Sequence, residues 1–514
     1  MIRSYGFSGS VRERLINLNL ILTSEGFLAT LRASIQVIPP LWQVNPDKTM
    51  LLTPVDCFTI ALGEADQLTQ LIAASQATQF DIADRLDEMP PAQTPQDQSV
   101  TVILADLLIP GRGNPLSDAA VAVVDDKIAF VGLAKELPDK YRSANPVSVP
   151  VVMPGLWDVH VHFMGMDVAT DFKEGMFNFL PGSNALIGAV TVADLERTLM
   201  AGYTSVRELC GYAGDLVPAI ESGRLVAPNV YSSIAAMSIS GGHGDEHTSP
   251  IDTMVNFARC GGPCAIADGP DDCTKQVRLL VRRGARCIKV CSSGGVLSVL
   301  DDPEDRQFSD NELKAIVDEA ARSRRAVAAH AIGKAGIMAA LRAGVKSIEH
   351  GMYLDDEVAD AMLEKGAIFV ATQHIVNTVS KDPTLPPHMA RKIEKLLQRA
   401  ADSYALAIKR GIKIALGTDT LSSDHTKEMA HGNNARELEW AVKRGMTPLQ
   451  AIEAGTANAP EVLGGMAPLS GQLKEGFDAD LIAVTKSPLD DIKVLLNQEN
   501  ITHVWKGGRL FKSP

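Results

Sequence analysis

Two textures of hydrophobic patterning run along this chain, and their alternation predicts its elements. Short runs rich in valine, isoleucine and alanine read as strands buried on both faces. They occupy 151–162, 203–209, 228–235, 286–292, 326–330, 345–350, 367–372 and 412–418, with amphipathic stretches between them. One of these stretches opens on Ser309 with Glu312 three residues on, the spacing of a capping box. Another, "DDCTKQVRLLVRRG", begins on acids and ends on basic residues and Gly284, as a helix dipole and a C-terminal cap prefer. Eight strands alternating with helices predict an α/β fold of the (β/α)8 TIM-barrel type over 151–465, and the count disfavours a doubly wound sheet.

The flanks differ. "VTVILADLLI" and "AAVAVVDDKIAFVG" are strand-like and separated by the turn "PGRGNP"; the same texture returns in "DADLIAV" and "THVWKGGRLF". Residues 100–150 and 466–514 are therefore expected to pair into one small β-sandwich. Before them, 1–99 reads as an extension of unknown role, apolar around 15–38 and 55–86, and closed by the linker "EMPPAQTPQDQS".

Composition narrows the function classes. Hydrophobic residues make up 46% and charged residues 22% of 514, as in a globular protein with a large core. The net charge of −13, without a long lysine–arginine cluster, argues against nucleic acid as partner, and no apolar run is long enough to span a membrane. Seven irregularly spaced cysteines fit a reducing compartment. With no secretory layout at the N-terminus, a cytoplasmic location is expected; Arg3, Arg12, Arg14 and Arg32 leave an organelle presequence as the alternative, weakened by Glu13 and Glu25.

The chemistry lies at the ends of the predicted strands. The first ends Asp158–Val–His160–Val–His162, three polar groups on one face by the period of two. The fourth carries Lys289 within "CIKVCSSGG"; the fifth ends in His330, the sixth in His350, and the eighth runs through "ALGTD" into Asp419. A lone histidine at a strand end is commonly structural, and Asp419 alone can cap a turn. In a barrel, however, these ends converge on one small volume, and imidazoles with a carboxylate suit zinc. Neutral imidazoles and one carboxylate do not balance two divalent ions, so an anionic bridge is needed. A buried lysine is costly as an ammonium and can react with carbon dioxide to give a carbamate, which would serve.

"MPGLWDVHVH", "IKVCSSGGV", "AAHAIGKAGI", "SIEHG", "ALGTDT", "TPLQAIEAGTANAPEVLG" and "GFDADLIAV" together resemble the binuclear amidohydrolase superfamily, from about residue 100 to the C-terminus. Within it the resemblance is to the Xaa-Pro dipeptidase and carboxypeptidase-like branch to which fungal ochratoxinases belong. The resemblance implies a zinc pair, one ion on His160, His162 and Asp419 and the other on His330 and His350, bridged by carboxylated Lys289 and a hydroxide. It implies hydroxide attack on a metal-polarised amide, with Asp419 moving the proton and Asp158 outside the ligand set. His243, in "GGHGDEH" after strand three, is a candidate for catalysis and substrate contact. Arg207 is a candidate for a substrate carboxylate or for a salt bridge, and Tyr212 for the oxyanion. His247, His425 and His431 fall in loops and are expected in solvent. Relatives often carry a histidine where Ile332 stands, which makes this pocket more apolar and favours bulky or aromatic substrates.

The expected function is hydrolysis of an amide or peptide bond to a C-terminal amino acid, ochratoxin A-type N-acyl-phenylalanine amides being candidates. The alternative is a cyclic-amide or imidazolone ring hydrolase on the same metals. A non-catalytic scaffold would have lost ligands, and all six positions carry ligand-type residues. The expected partners are a small amide or dipeptide and further copies of the chain.

Overall fold

A computed structural model describes residues 99–165, 184–247, 249–383 and 385–514; the expected extension, its apolar stretches and nearly all of its linker lie outside them. Sixteen strands are present among these residues. The N-terminal four are β1 (Val100–Leu108), β2 (Leu116–Val124), β3 (Lys127–Leu133) and β4 (Val147–Pro154). A parallel set follows: β5 (Leu156–Val161), β6 (Tyr203–Glu208), β7 (Asn229–Ser232), β8 (Ala236–Ser238), β9 (Cys264–Ile266), β10 (Ile288–Cys291), β11 (Val327–Ala331), β12 (Ser347–His350) and β13 (Ile368–Val370). The chain closes with β14 (Leu481–Val484), β15 (Ile501–Lys506) and β16 (Arg509–Lys512).

The two ends of the described chain pair, as their shared texture predicts. They form one seven-stranded sheet in the order β16-β15-β14-β4-β1-β2-β3, joined where β14 runs antiparallel to β4 with Ile482 opposite Met153. Ile103, Val121 and Val152 pack there with Leu481 and Trp505 from the far end of the sequence. Because β4 belongs to this sheet, it crosses the expected boundary at 150.

The central strands are buried along their whole length, β5, β6, β10, β11 and β12 alike, which is why they read as continuous apolar runs rather than alternating ones. They form a three-stranded sheet, β5-β6-β7, and a six-stranded sheet, β13-β12-β11-β10-β8-β9. Backbone hydrogen bonds connect the two. On one side Arg286 N donates to Ser232 O at 2.8 Å. On the other, residues 413–420 lie between β13 and β5: Ala415 N donates to Phe369 O at 3.1 Å, Val159 N to Leu416 O at 3.0 Å and His162 N to Thr420 O at 2.9 Å.

Two strand expectations change. The segment 412–418 is extended but makes isolated bridges, Ile414 with Phe369 and, just beyond it, Thr420 with Val161, rather than a regular strand. The expected strand 228–235 ends at Ser232, because Ile234 takes a φ of 71° and turns the chain into β8. β9 is too short for any periodic signal. The helix expectations hold: Ser309 and Glu312 cap Asp310–Arg322 reciprocally, and Pro270–Arg282 is followed by Gly284 at φ 106°. Gly155 lets β5 meet β6, since a Cβ there would come within 2.1 Å of Thr204 Oγ1.

Trp505 is buried at the junction of the two chain ends. Trp505→Ala is expected to cost about 3–5 kcal/mol of stability, read by denaturant unfolding; a change below about 1 kcal/mol would show that the C-terminal strands are not part of the core.

Candidate metal centre and active-site cavity

The strand ends bring the predicted polar residues to one place. Asp419 N donates to His160 O at 2.7 Å, so the backbone itself ties the eighth segment to the first. Asp419 Oδ1 lies 3.0 Å from His162 Nε2 and 3.5 Å from His160 Nε2, and Oδ2 lies 4.0 Å from His350 Nδ1. Ligand atoms of His160, His350 and Asp419 all fall within 4.8 Å of one another. The His330 ring is 4.6 Å from that of His350, and Lys289 Nζ is 3.3 Å from His160 Nε2. Asp419, His350 and Thr372 hold left-handed backbone angles at φ 60°, 70° and 47°. Such angles are costly for non-glycine residues and concentrate where a side chain must be aimed.

The outer nitrogens of the imidazoles are occupied. His160 Nδ1 lies 2.9 Å from the buried Glu349 carboxylate, His162 Nδ1 3.0 Å from Cys210 O and His350 Nδ1 2.8 Å from Thr372 Oγ1. His330 is held through its other nitrogen, Nε2, at 3.0 Å from Gly294 O. Each ring therefore keeps one nitrogen for the cavity, as metal-binding histidines do when a partner behind them fixes the tautomer. Burial drives the pKa of His160, His330 and His350 well below the ordinary histidine value, so these rings are neutral and available as donors. Burial acts the same way on His162 but is outweighed by Cys210 and Asp419, which raise it. Burial also opposes the charge of Asp419; His160, His162 and Lys289 overcome it and hold the group below the usual carboxylate range. The neutral nitrogens of His160, His330 and His350 with the Asp419 carboxylate fit a divalent metal, and Lys289, only 3% exposed, is close enough to join them.

Asp158 stays out of the set. It accepts from Thr418 and Asn434, and burial raises it to about 6. Glu349 is the residue that sequence reasoning missed. It accepts from His160, from Ser347 and, at 2.8 Å, from Arg207.

That last contact corrects the carboxylate-binding expectation for Arg207. The side chain is wholly buried, and besides Glu349 it donates to Val159 O at 2.6 Å and Ser347 Oγ at 2.9 Å. It is the salt bridge, placed behind His160. Tyr212, offered for the oxyanion, is not among the residues lining the cavity. His431 is buried rather than solvated, stacked on Phe163 with its pKa lowered to about 3 by burial. His247 is half-buried, and His425 is exposed as expected.

The polar cluster forms one end of a cavity of about 210 Å³. Its other walls are apolar: Ile332, Met352, Ile375, Val376 and Ile393, which belong to a single hydrophobic cluster, together with Leu297. His243 lines it too, stacked on His330 at 4.3 Å with its pKa lowered to about 4 by burial. Cys210, Cys264 and Cys291 also reach it. Among the described residues no helix is long and apolar enough to cross a membrane.

A model of the amidohydrolase family matches residues 151–511, which carry the whole constellation. The chain belongs to the amidohydrolase family. Ochratoxinase of Aspergillus niger is 47% identical over 432 residues, covering 81% of this amidohydrolase and 88% of the relative. The A. niger ochratoxinase crystal structure superposes with a TM-score of 0.75 at 45% identity, covering 82% of this chain and 97% of that one. A Xaa-Pro dipeptidase with bound methionine in its active site superposes with a TM-score of 0.71 at 29% identity, covering 81% and 100%. Family and relatives make the chain a hydrolase acting on amide bonds.

Glu349→Gln keeps the shape behind His160 and removes the charge. It is expected to weaken divalent-metal affinity about 10- to 100-fold with folding retained, as read by chelator competition; unchanged affinity would show that Glu349 serves Arg207 alone.

Proposed function

We propose that this amidohydrolase is a metal-dependent carboxypeptidase-type amidase that releases a C-terminal amino acid from small N-acyl or dipeptide substrates. N-acyl-phenylalanine amides of the ochratoxin kind are the leading class. The observation that carries the reading is the cavity, polar at one end and apolar elsewhere, with Ile332 on its wall. The 47% identity to a protein named ochratoxinase supports it. The bonds linking residues 413–420 and Arg286 to their neighbours favour a closed (β/α)8 barrel as the frame, with the seven-stranded sheet beside it as the expected sandwich.

His160, His162 and Asp419 would hold one ion and His330 and His350 the other, with Lys289 as a carbamate completing the charge balance.

 The carbamate would form once the ammonium has given up a proton, the neutral amine then adding carbon dioxide with loss of a second proton, which would turn a costly buried cation into an anionic ligand. When bound, two zinc ions would supply an activated water at neutral pH and polarise the scissile carbonyl. The chain's own part follows from its geometry. Asp419, held as a carboxylate by its neighbours, takes the proton of the attacking water and passes it to the departing amine nitrogen. Glu349 and Thr372 keep His160 and His350 aimed at the cavity. The apolar wall of Ile332, Ile375 and Ile393 receives the bulky part of the substrate and excludes water from the reacting bond.

The test is a substrate panel of ochratoxin A, N-acyl-phenylalanine, Xaa-Pro dipeptides and cyclic amides, followed by mass spectrometry with and without chelator. The expected result is release of free amino acid, reduced by at least about 10³-fold on metal removal, the factor that several kcal/mol of lost transition-state stabilisation implies. Ring opening without amino-acid release would replace this reading with the cyclic-amide one.

A further inference from the structure

The six-stranded sheet divides the wall of the cavity by chemistry. In its order, β13-β12-β11-β10-β8-β9, the first half carries the aliphatic wall: Ile332 follows β11, Met352 comes just after β12, and Ile375 lies in the helix Gln373–Val379 after β13. The second half supplies small residues and thiols. Ala236 of β8 stands opposite Lys289 of β10 on one side and Cys264 of β9 on the other, so the three lie in a row across the strands. Cys291 is two residues beyond Lys289 and shares its face of β10. Cys210, two residues past β6, places Sγ 3.1 Å from His162 Nδ1. These residues and Gly244 all line the cavity.

The second side is low in volume and soft in character. Gly244 keeps it open, because a Cβ there would come within 3.0 Å of Ser238 Cβ and 4.0 Å of Cys291 Sγ. Burial raises the Cys264 thiol well above its ordinary value, and Cys210 and Cys291 are near enough to raise it further, so Cys264 packs as a neutral group. The space over Ala236 and Gly244 is thus flanked by sulfur, which is polarisable and makes favourable contacts at the edge of an aromatic ring. On the opposite side Met352 stands among branched aliphatic side chains that offer bulk and no such preference.

We propose that this small, thiol-lined side is the subsite for the side chain of the departing amino acid and selects an aromatic ring there, with Ala236 and Cys264 as specificity-determining residues. The proposal rests on the amide-hydrolase reading above, taking the bulky part of the substrate on Ile332, Ile375 and Ile393 to be its acyl group. A trans amide sends its two carbon substituents in opposite directions. With the scissile carbonyl at the polar cluster and the acyl group toward β11, β12 and β13, the amine half extends toward β10, β8 and β9. A flat ring fits a shallow space floored by alanine and glycine and meets sulfur at its edge. A saturated ring of the same outline is thicker and has no π-system.

The experiment measures kcat/KM of the metal-loaded, full-length enzyme on a grid of amides in which the acyl group and the departing amino acid vary separately. For a fixed acyl group, phenylalanine is expected to exceed cyclohexylalanine by about 3- to 10-fold. Cys264→Ala should bring that ratio close to unity. Ala236→Val, which fills the space, should lower the phenylalanine-to-alanine ratio at least about 10-fold. Neither variant should reorder the acyl groups, whereas Ile332→Ala should reorder them and leave the phenylalanine-to-cyclohexylalanine ratio as it was. A purely structural role would lower all substrates together and change no ratio. Circular dichroism checks folding, and Cys264→Val carries the steric comparison if Ala236→Val does not fold. Equal release of phenylalanine and cyclohexylalanine by the wild type, ratios unchanged in the variants, or a shift in the acyl ranking instead, overturns the proposal alone. Cleavage of none of the amides overturns the amide-hydrolase reading, and the proposal falls with it.

Discussion

Lys289 Nζ and His160 Nε2 lie 3.3 Å apart at the polar end of an otherwise apolar cavity, and both side chains are almost fully buried. An ammonium in that position has lost its water and stands beside a neutral ring, a costly arrangement unless an anion or a chemical change relieves it. The surrounding groups are organised around the same demand. Glu349 fixes the far nitrogen of His160 and is itself balanced by Arg207, so a buried negative charge orients the ring without reaching the cavity. Asp419 supplies the carboxylate that does reach it, tied to His160 through the backbone. Carboxylation of the lysine would answer the remaining imbalance, and divalent ions would then make the cluster neutral enough to bury.

Shape and polarity divide the work of the cavity. Strand ends supply the polar residues, while the apolar wall draws on helices that follow β13: Gln373–Val379 gives Ile375 and Val376, and Pro387–Arg410 gives Ile393. The first of these helices starts immediately after Thr372, the residue that holds His350, and the buried Glu437 carboxylate accepts the backbone N–H groups of Gln373 and His374 at 3.0 and 2.7 Å. One junction thus sets both a histidine of the polar cluster and the wall opposite it. Pro387–Arg410 contributes a second tie through Lys392, which fixes the loop behind His243.

The polar cluster was legible in the chain because ligand-type residues recur at the ends of successive apolar runs, and only a convergent sheet makes such a recurrence meaningful. What escaped followed local rules that periodicity does not carry. Strict alternation would place Glu349 and His350 on opposite faces; the left-handed angle at His350 breaks the alternation, and both are buried within the site. Arg207 sits at a strand end as the ligands do, but its donors turn to Val159, Ser347 and Glu349, a choice made by neighbours distant in sequence. His431 has a loop's surroundings in the sequence, yet Phe163 covers it in the fold. Residues 412–418 read as a strand, yet here the chain makes only scattered bridges, Ile414 with Phe369 and, just beyond, Thr420 with Val161. The pairing of the two chain ends was legible from their shared strand-rich texture, and it is made where β14 meets β4.

The central claim is that Lys289 becomes an anionic ligand. Metal-loaded protein equilibrated with ¹³C-bicarbonate and observed by carbon NMR tests it most directly. The account predicts one new protein-bound carbamate resonance that is absent in Lys289→Met and lost when the metals are chelated. Two ions bound per chain with no labelled carbon on the protein would contradict it.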